Sequence, residues 1–225
     1  MLKKLNENEI SVLCGGHSFI LGSLKTLYWP LKKMLIIADL HLEKGSYFAA
    51  RGNPIPLYDS LDTLKRLKKV CEIYNPEIIL SLGDNIHDSL AFKRMNKMSY
   101  ELLAEISLPL KQWLWVLGNH DSVVVPKDLG QKFIFCKDFQ LDNILFSHDF
   151  VEKNIFQIVG HYHPKITIKR MTGKCYVHEA NKLVLPAFGT YAGGLDVNSS
   201  GFKKLDFNEN YNIFMIYKEK IWQVR

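Results

Sequence analysis

At 225 residues, with 47% hydrophobic and 23% charged residues, the chain can bury one sizeable core and is far from the composition of a disordered segment. No uncharged apolar run reaches the roughly 18 to 20 residues of a membrane-spanning helix, and no apolar signal segment with a small-residue cleavage site opens the sequence, so no membrane association and a cytoplasmic location are expected. The formal net charge of +6 is compatible with a polyanionic partner such as nucleic acid but does not by itself select one.

Residues 9–30 alternate polar and apolar positions around Gly15-Gly16 and Gly22-Ser23, which predicts an antiparallel β meander packed on the core, with His17 a surface or turn residue. Met34 to Ala38 reads as the first buried strand. Asp39 and His41 follow it two residues apart, a spacing that in an extended strand end puts both side chains on one side, able to grip one ion. Residues 43–52 read as a loop or short helix and 53–56 as a rigid connection. Leu57, Leu61, Leu64, Leu67 and Cys71 then recur at helical spacing, leaving Lys65, Arg66, Lys68 and Lys69 on the outer face.

The apolar run 78–82 is a second strand, cut off by Gly83, and it delivers Asp84 to its carboxyl end, where ligands of open α/β sheets collect. Residues 89–107 read as a second helix with Phe92, Met95, Met98, Leu102, Leu103 and Ile106 inward and Lys93, Arg94 and Lys97 outward. Residues 113–117 are a third strand, and the glycine of Gly118-Asn119-His120-Asp121 is expected to allow a sharp turn that faces Asn119 and His120 to the site. From Lys132 the helical signal fades into short strand-like runs at 133–135, 139–141, 144–146, 156–159, 166–170, 174–177 and 182–185. A long turn over 186–194 and a closing hairpin at 212–217 and 220–224 follow. Alternating βα units before a β-rich half predict an α/β sandwich, two stacked mixed β-sheets flanked by helices, with residues 1–225 forming a single domain.

The chemistry rests on where the histidines fall. Of the 8 histidines, His41, His87, His120, His148, His161 and His163 stand at predicted strand ends with Asp39, Asp84 and Asn119, whereas His17 and His178 do not. A lone histidine is usually a satisfied core or surface residue; several arriving at one edge reverse that expectation. The 4 cysteines are widely spaced with no C-x-x-C pair, which argues against a zinc knuckle or a disulfide framework. Carboxylate, imidazole and amide donors without thiolate suit two divalent ions, Mn²⁺ first, with Fe²⁺ or Zn²⁺ as alternatives. Two ions about 3.5 to 4 Å apart, bridged by one carboxylate for which Asp84 is the natural choice, can hold a hydroxide and spread the charge of a phosphorus transition state.

In this order, Asp39-x-His41, Gly83-Asp84-x-x-His87, Gly118-Asn119-His120-Asp121, His148 and Gly160-His161-x-His163 resemble the calcineurin-like metallophosphoesterases. Tyr28-Trp29-Pro30, Arg51-Gly52, Gly160-His161-Tyr162-His163-Pro164 and Leu185-Pro186-Ala187-Phe188-Gly189 extend the resemblance toward the DNA-ligase-associated (PdeM-like) branch, over nearly the whole chain. The resemblance implies that Asp39, His41, Asp84 and His163 hold one ion and Asp84, Asn119, His148 and His161 the other. It gives His120 the role of general acid to the leaving oxygen, and His87, where many members carry an aspartate, that of an orienting or second proton-handling group. It further implies a phosphodiester substrate, single-stranded or duplex DNA among them, a DNA-repair-associated nuclease role, and association with a DNA ligase or helicase. Phosphomonoesterase and cyclic-nucleotide phosphodiesterase activities use the same site, and a catalytically silent metal-binding scaffold is the reading from a different class.

Overall fold

The computed structural model describes residues 2–121, 126, 132–205, 207 and 210–225. Strands β1 (Lys3–Lys4), β2 (Glu9–Cys14), β3 (His17–Gly22) and β4 (Thr26–Trp29) form an antiparallel meander. Gly15 and Gly16, both at positive φ, make the two-residue turn that pairs Cys14 with His17, as right-handed strand twist favours in hairpins. His17 therefore sits within a strand, its ring 5.0 Å from that of Trp29. The meander is continuous with the sheet it was expected to cover, because β4 pairs with β5 (Met34–Ala38).

After β5 come α1 (Lys44–Ala49), α2 (Asp59–Tyr74), β6 (Ile78–Leu82), α3 (Ala91–Arg94), α4 (Lys97–Ser107), β7 (Gln112–Val116) and β8 (Phe133–Cys136). Strands β5 to β8 run parallel in consecutive order and complete an eight-stranded sheet. The expected single helix over 89–107 is two. Asn96 stands at φ −70°, ψ 157° and its side chain accepts from Ser99 N–H, which starts a new helix there instead of continuing the old one. Two inward assignments change with it: Met98 is 62% exposed, and Leu57, which precedes α2, is 59% exposed. Arg94 and Arg66 turn inward instead, Arg94 onto Asp88 and Ser46, Arg66 onto the carbonyl of Phe188.

The second sheet holds β9 (Asp138–Leu141), β10 (Ile144–Ser147), β11 (Phe156–Val159), β12 (Pro164–Ile168), β13 (Met171–Glu179), β14 (Lys182–Val184) and β15 (Leu195–Asp196). After α5 (Ser200–Lys203), strand β16 (Asn212–Tyr217) pairs with β13 and with β17 (Lys220–Gln223), the expected closing hairpin. β10, β11 and β14 are parallel neighbours, as are β12 and β15, and the remaining pairs of this sheet are antiparallel.

Side chains on a strand alternate faces, and here both faces are covered. Ile36, Leu80 and Leu114 meet Phe146, Ile158, Tyr176 and Phe214 between the sheets, while Leu35, Ile37, Ile79 and Trp113 pack outward on Leu64, Leu67, Leu103 and Ile106 of α2 and α4. Double-sided burial explains why β5 to β7 read as unbroken apolar runs. The Tyr176 hydroxyl satisfies itself on the carbonyls of Gly22 (2.7 Å) and Thr26 (2.9 Å), joining the two sheets across the core. All described helices are too short or too polar to cross a membrane.

Candidate metal centre

Five strands deliver side chains to one edge. Asp39 and His41 follow β5, Asp84 and His87 follow β6, Asn119 and His120 follow β7, His148 follows β10, and His161 and His163 follow β11. The backbone there is not extended. Asp39, His41, Asp84, His161 and His163 stand at φ 53°, 46°, 40°, 65° and 46°, left-handed conformations that cost a non-glycine residue about 1–3 kcal/mol each. The D-x-H pair thus converges through a left-handed turn, not through strand alternation as its spacing predicts. The turn is held by His41 N–H donating to Asp84 O (2.8 Å), and by Phe188 and Gly189 N–H donating to Ala38 O (2.7 Å) and Asp39 O (3.0 Å).

Two clusters result, Asp39 with His41 and His163, and Asp84 with His148 and His161, each with candidate donor atoms within 4.8 Å of one another. They adjoin: His41 Nε2 lies 3.8 Å from Asp84 Oδ2, and His148 Nδ1 lies 3.6 Å from Asp39 Oδ1. A third cluster, His41 with His87 and His120, opens outward from the first. His87 and His120 rings stack at 4.8 Å and 17°. Asn119 is exposed and borders His148 across a cleft of about 170 Å³.

The donors fit a cation. Asp39 is 0% and Asp84 3% exposed, and their ion-pair partners among the described residues are imidazoles. Buried carboxylates without a fixed positive partner are ordinarily neutralised or metal-bound. His148 Nδ1 faces the carbonyl of Leu82 at 3.2 Å; a carbonyl can only accept, so Nδ1 donates there and Nε2 is turned to the cluster, 3.5 Å from Asp84 Oδ1 and 2.9 Å from His161 Nδ1. His41 is pushed down to about 2 by burial and then by the charges of His163, Lys44, His120 and His87, which keep the ring neutral. Its buried Nδ1 has no hydrogen-bond partner among the described residues. Acceptors and lone pairs crowd together with too few protons between them, the condition a divalent ion relieves.

Residues 32–184 match the family model described as calcineurin-like phosphoesterase. The chain belongs to the calcineurin-like phosphoesterase family. It is a metal-dependent phosphoester hydrolase. Pseudomonas putida nuclease MPE, known from a crystal structure, is 22% identical, with a TM-score of 0.73 over 96% of this chain and 100% of that chain, so the two share a fold. Yfce, a phosphoesterase from E. coli, is 13% identical over 85% of this chain and 97% of that one, and the Aquifex aeolicus protein AQ665 is 18% identical over 58% and 78%. Both have a TM-score of 0.39, too distant to bear on the site. No curated protein sequence matches the chain.

Around the phosphoesterase clusters lie supporting contacts, several of them made by residues to which motif spacing assigns no role. Asp121 clasps two loops: its Oδ1 accepts from Ile86 N–H (3.0 Å), its Oδ2 from Gly118 N–H (2.9 Å) and the Asn85 amide (3.0 Å). Burial raises the Asp121 pKa against these hydrogen bonds. His120 Nδ1 lies 3.0 Å from His87 O, which leaves Nε2 directed outward. Burial, then the charges of His120 and Lys44, takes His87 down to about 4, so it too is neutral near pH 7. Gly118 departs from its expected reason: its φ is not positive, and what forbids a side chain is that a Cβ would overlap the Asp84 carboxylate and amide. Lys44, in a stretch the sequence leaves as a loop or short helix, has its pKa lowered by burial, against which the Asp59 and Asp84 carboxylates favour its charge. Only its position in space, at the start of α1 within the field of Asp84, reveals it.

Proposed function

We propose that this phosphoesterase is a phosphodiesterase of nucleic acid that works with two divalent ions. The observation that carries the reading is the pair of adjoining Asp/His clusters with His120 beside them. In it Asp39, His41, Asp84 and His163 hold one ion, Asp84, Asn119, His148 and His161 the other, and Asp84 serves both. A donor set of carboxylate, imidazole and amide oxygen without sulfur favours Mn²⁺, with Fe²⁺ or Zn²⁺ as substitutes. Such ions supply Lewis acidity and neutralise the charge that builds on the phosphoryl oxygens. His120 protonates the departing oxygen through Nε2, its ring held by the His87 carbonyl and by stacking on the His87 imidazole. His87, neutral and wedged between His120 and Tyr47, orients that ring. Asp121 and Asn85 fix the loop that carries Asn119 and His120.

A diester of nucleic acid is favoured over a free monoester by the net charge of +6 and by Lys44 at the rim, both suited to flanking phosphates. The protein of shared fold named as a nuclease supports the same direction. The DNA-repair setting, a DNA ligase or helicase partner, a cytoplasmic location and a single domain over residues 1–225 complete the proposal and rest on resemblance and composition. The test is turnover of a generic aryl phosphodiester and of the matching monoester by chelator-stripped protein with Mn²⁺ added back, then of labelled single-stranded and duplex DNA. Diester and DNA turnover restored by Mn²⁺ is expected; preference for the monoester would replace the reading with a phosphomonoesterase, and silence on every substrate with bound metal would replace it with a scaffold.

A further inference from the structure

The Phe188–Gly189 peptide lies between the metal centre and two largely buried cations. Its N–H donates to Asp39 O (3.0 Å), and the N–H of Phe188 just before it donates to Ala38 O (2.7 Å), so the strand end that carries Asp39 hangs on this one segment. The approach is close: a Cβ on Gly189 would overlap Leu40 O. At the other end of the same peptide, Phe188 O accepts from Lys25 Nζ (3.1 Å) and from the Arg66 guanidinium. The two cations come from distant elements. Lys25 stands in the turn between β3 and β4, which the pairing of β4 with β5 sets beside the carboxyl end of β5, and Arg66 is in the middle of α2. Arg66 also covers the Phe188 ring, 4.8 Å from its centroid, and is steered by Asp62 (3.4 Å) and by Thr190 Oγ1 (3.4 Å). As a device for stability alone the arrangement works against itself. Burial, then the charges of Arg66 and Lys174, takes Lys25 down to about 7, and burial lowers Arg66 likewise against the pull of Asp62. The buried Arg66 Nε has no hydrogen-bond partner among the described residues, and two like charges repel across one acceptor.

We propose that Arg66 and Lys25 are positioning residues of the metal centre: through the Phe188–Gly189 peptide they lock the left-handed turn that aims Asp39 and His41 at one ion. The inference rests on the reading of Asp39 and His41 as metal ligands and adds what holds them in place. Hydrogen bonds that run in a chain through one peptide polarise one another, so cations on its oxygen strengthen the donation of its N–H to Asp39 O. Asp39 at φ 53° and His41 at φ 46° are conformations that persist only where their surroundings over-determine them, and this peptide supplies that constraint. The sign of the effect separates positioning from charge. A cation near a divalent ion repels it, so removing the positive charge alone tightens metal binding. Releasing the turn weakens it, by the roughly 10- to 100-fold typical of losing a group that orients a ligand.

The experiment measures Mn²⁺ affinity of the full chain by competition against a chelating dye, with a thermal melt of each variant in chelator to establish that it is folded at the titration temperature. The double variant Lys25→Met/Arg66→Met is expected to bind Mn²⁺ about 10- to 100-fold more weakly than wild type. Each single variant is expected to lose less, because the other cation stays on Phe188 O, and the double to exceed the product of the two. Arg66→Lys, which keeps a charged donor for that oxygen, should restore the affinity lost in Arg66→Met. Unchanged or tighter Mn²⁺ binding in a folded double variant overturns the assignment and leaves the pair a structural contact. Should the double variant not fold, weakening in both single variants is required, and wild-type affinity in either overturns the assignment. Asp39→Asn, titrated alongside, should bind Mn²⁺ more weakly than any of these; wild-type affinity there overturns the metal reading of the turn, and this inference with it.

Discussion

Replacing Gly160 by alanine tests how tightly the centre is built. The backbone of Gly160 is one an alanine can adopt, so the effect is purely one of space. The added Cβ would lie 2.7 Å from Asp39 Oδ2, 2.8 Å from Leu82 O and 2.9 Å from Ala38 Cβ, each at least half an ångström short of ordinary contact at 3.4 Å. None of these neighbours is a free-swinging side chain. Leu82 O belongs to the β6 backbone, Ala38 Cβ is fixed directly by the backbone of β5, and Asp39 accepts from His161 N–H at 3.1 and 3.0 Å through its two oxygens. Overpacking of this kind costs about 1–3 kcal/mol. For a chain of this length that is a fall in Tm of about 2–12 °C. A shift of Asp39 by ~0.5 Å is also at the limit a preorganised site tolerates, and is expected to weaken Mn²⁺ binding by about 10- to 100-fold. Thermal melts in chelator and in Mn²⁺, with a competition titration against a chelating dye, read both quantities. A variant that melts with wild type and binds Mn²⁺ as tightly would refute the packing argument and the placing of Asp39 at an ion.

Other expectations follow from single groups. Asp84→Asn should lower occupancy of both ions and abolish turnover while the metal-free protein still folds, since the strand core is untouched; full activity would sink the bridging assignment. His120→Ala should keep its metal and lose about 10²- to 10⁴-fold in rate, and loss of metal in a quantitative metal assay would reassign it as a ligand. Lys25 donates to Phe188 O (3.1 Å), and burial, then Arg66 and Lys174, pushes it from 10.5 down to about 7. A base whose pKa is lower in the folded state binds fewer protons folded than unfolded between pH 7 and 10.5. Stability from this group therefore rises with pH across that window, by at most about 1.4 kcal/mol per pH unit, and levels off below it. Lys25→Met should flatten that slope in denaturant titrations; identical slopes in the two proteins would contradict it.

Much of the fold can be read from the chain because the central strands of both sheets are buried on both faces. Strands such as 78–82 and 212–217 announce themselves as apolar runs with sharp ends, and the histidines mark the edge to which they point. What periodicity misreads is decided by single polar side chains. Asn96 caps a helix where the apolar pattern runs on, and Arg66 abandons the solvent face of α2 for a carbonyl in a loop more than a hundred residues away. The site residues converge as their spacing suggests, yet the backbone that brings Asp39 and His41 together is left-handed, a conformation no residue-type pattern at those positions encodes. The roles of Asp121, Asn85 and Lys44 escape notice for the complementary reason: their partners are backbone amides and carboxylates of other loops, visible only once those loops are folded side by side.

The most direct test of the account is the number of metal ions bound. Protein stripped with chelator, dialysed to equilibrium in Mn²⁺ and assayed by elemental analysis should hold two ions per chain, with diester turnover rising as the second is taken up and both lost in Asp84→Asn. One ion or none at saturation, or undiminished turnover in the presence of chelator, would contradict a centre built from two clusters that share Asp84.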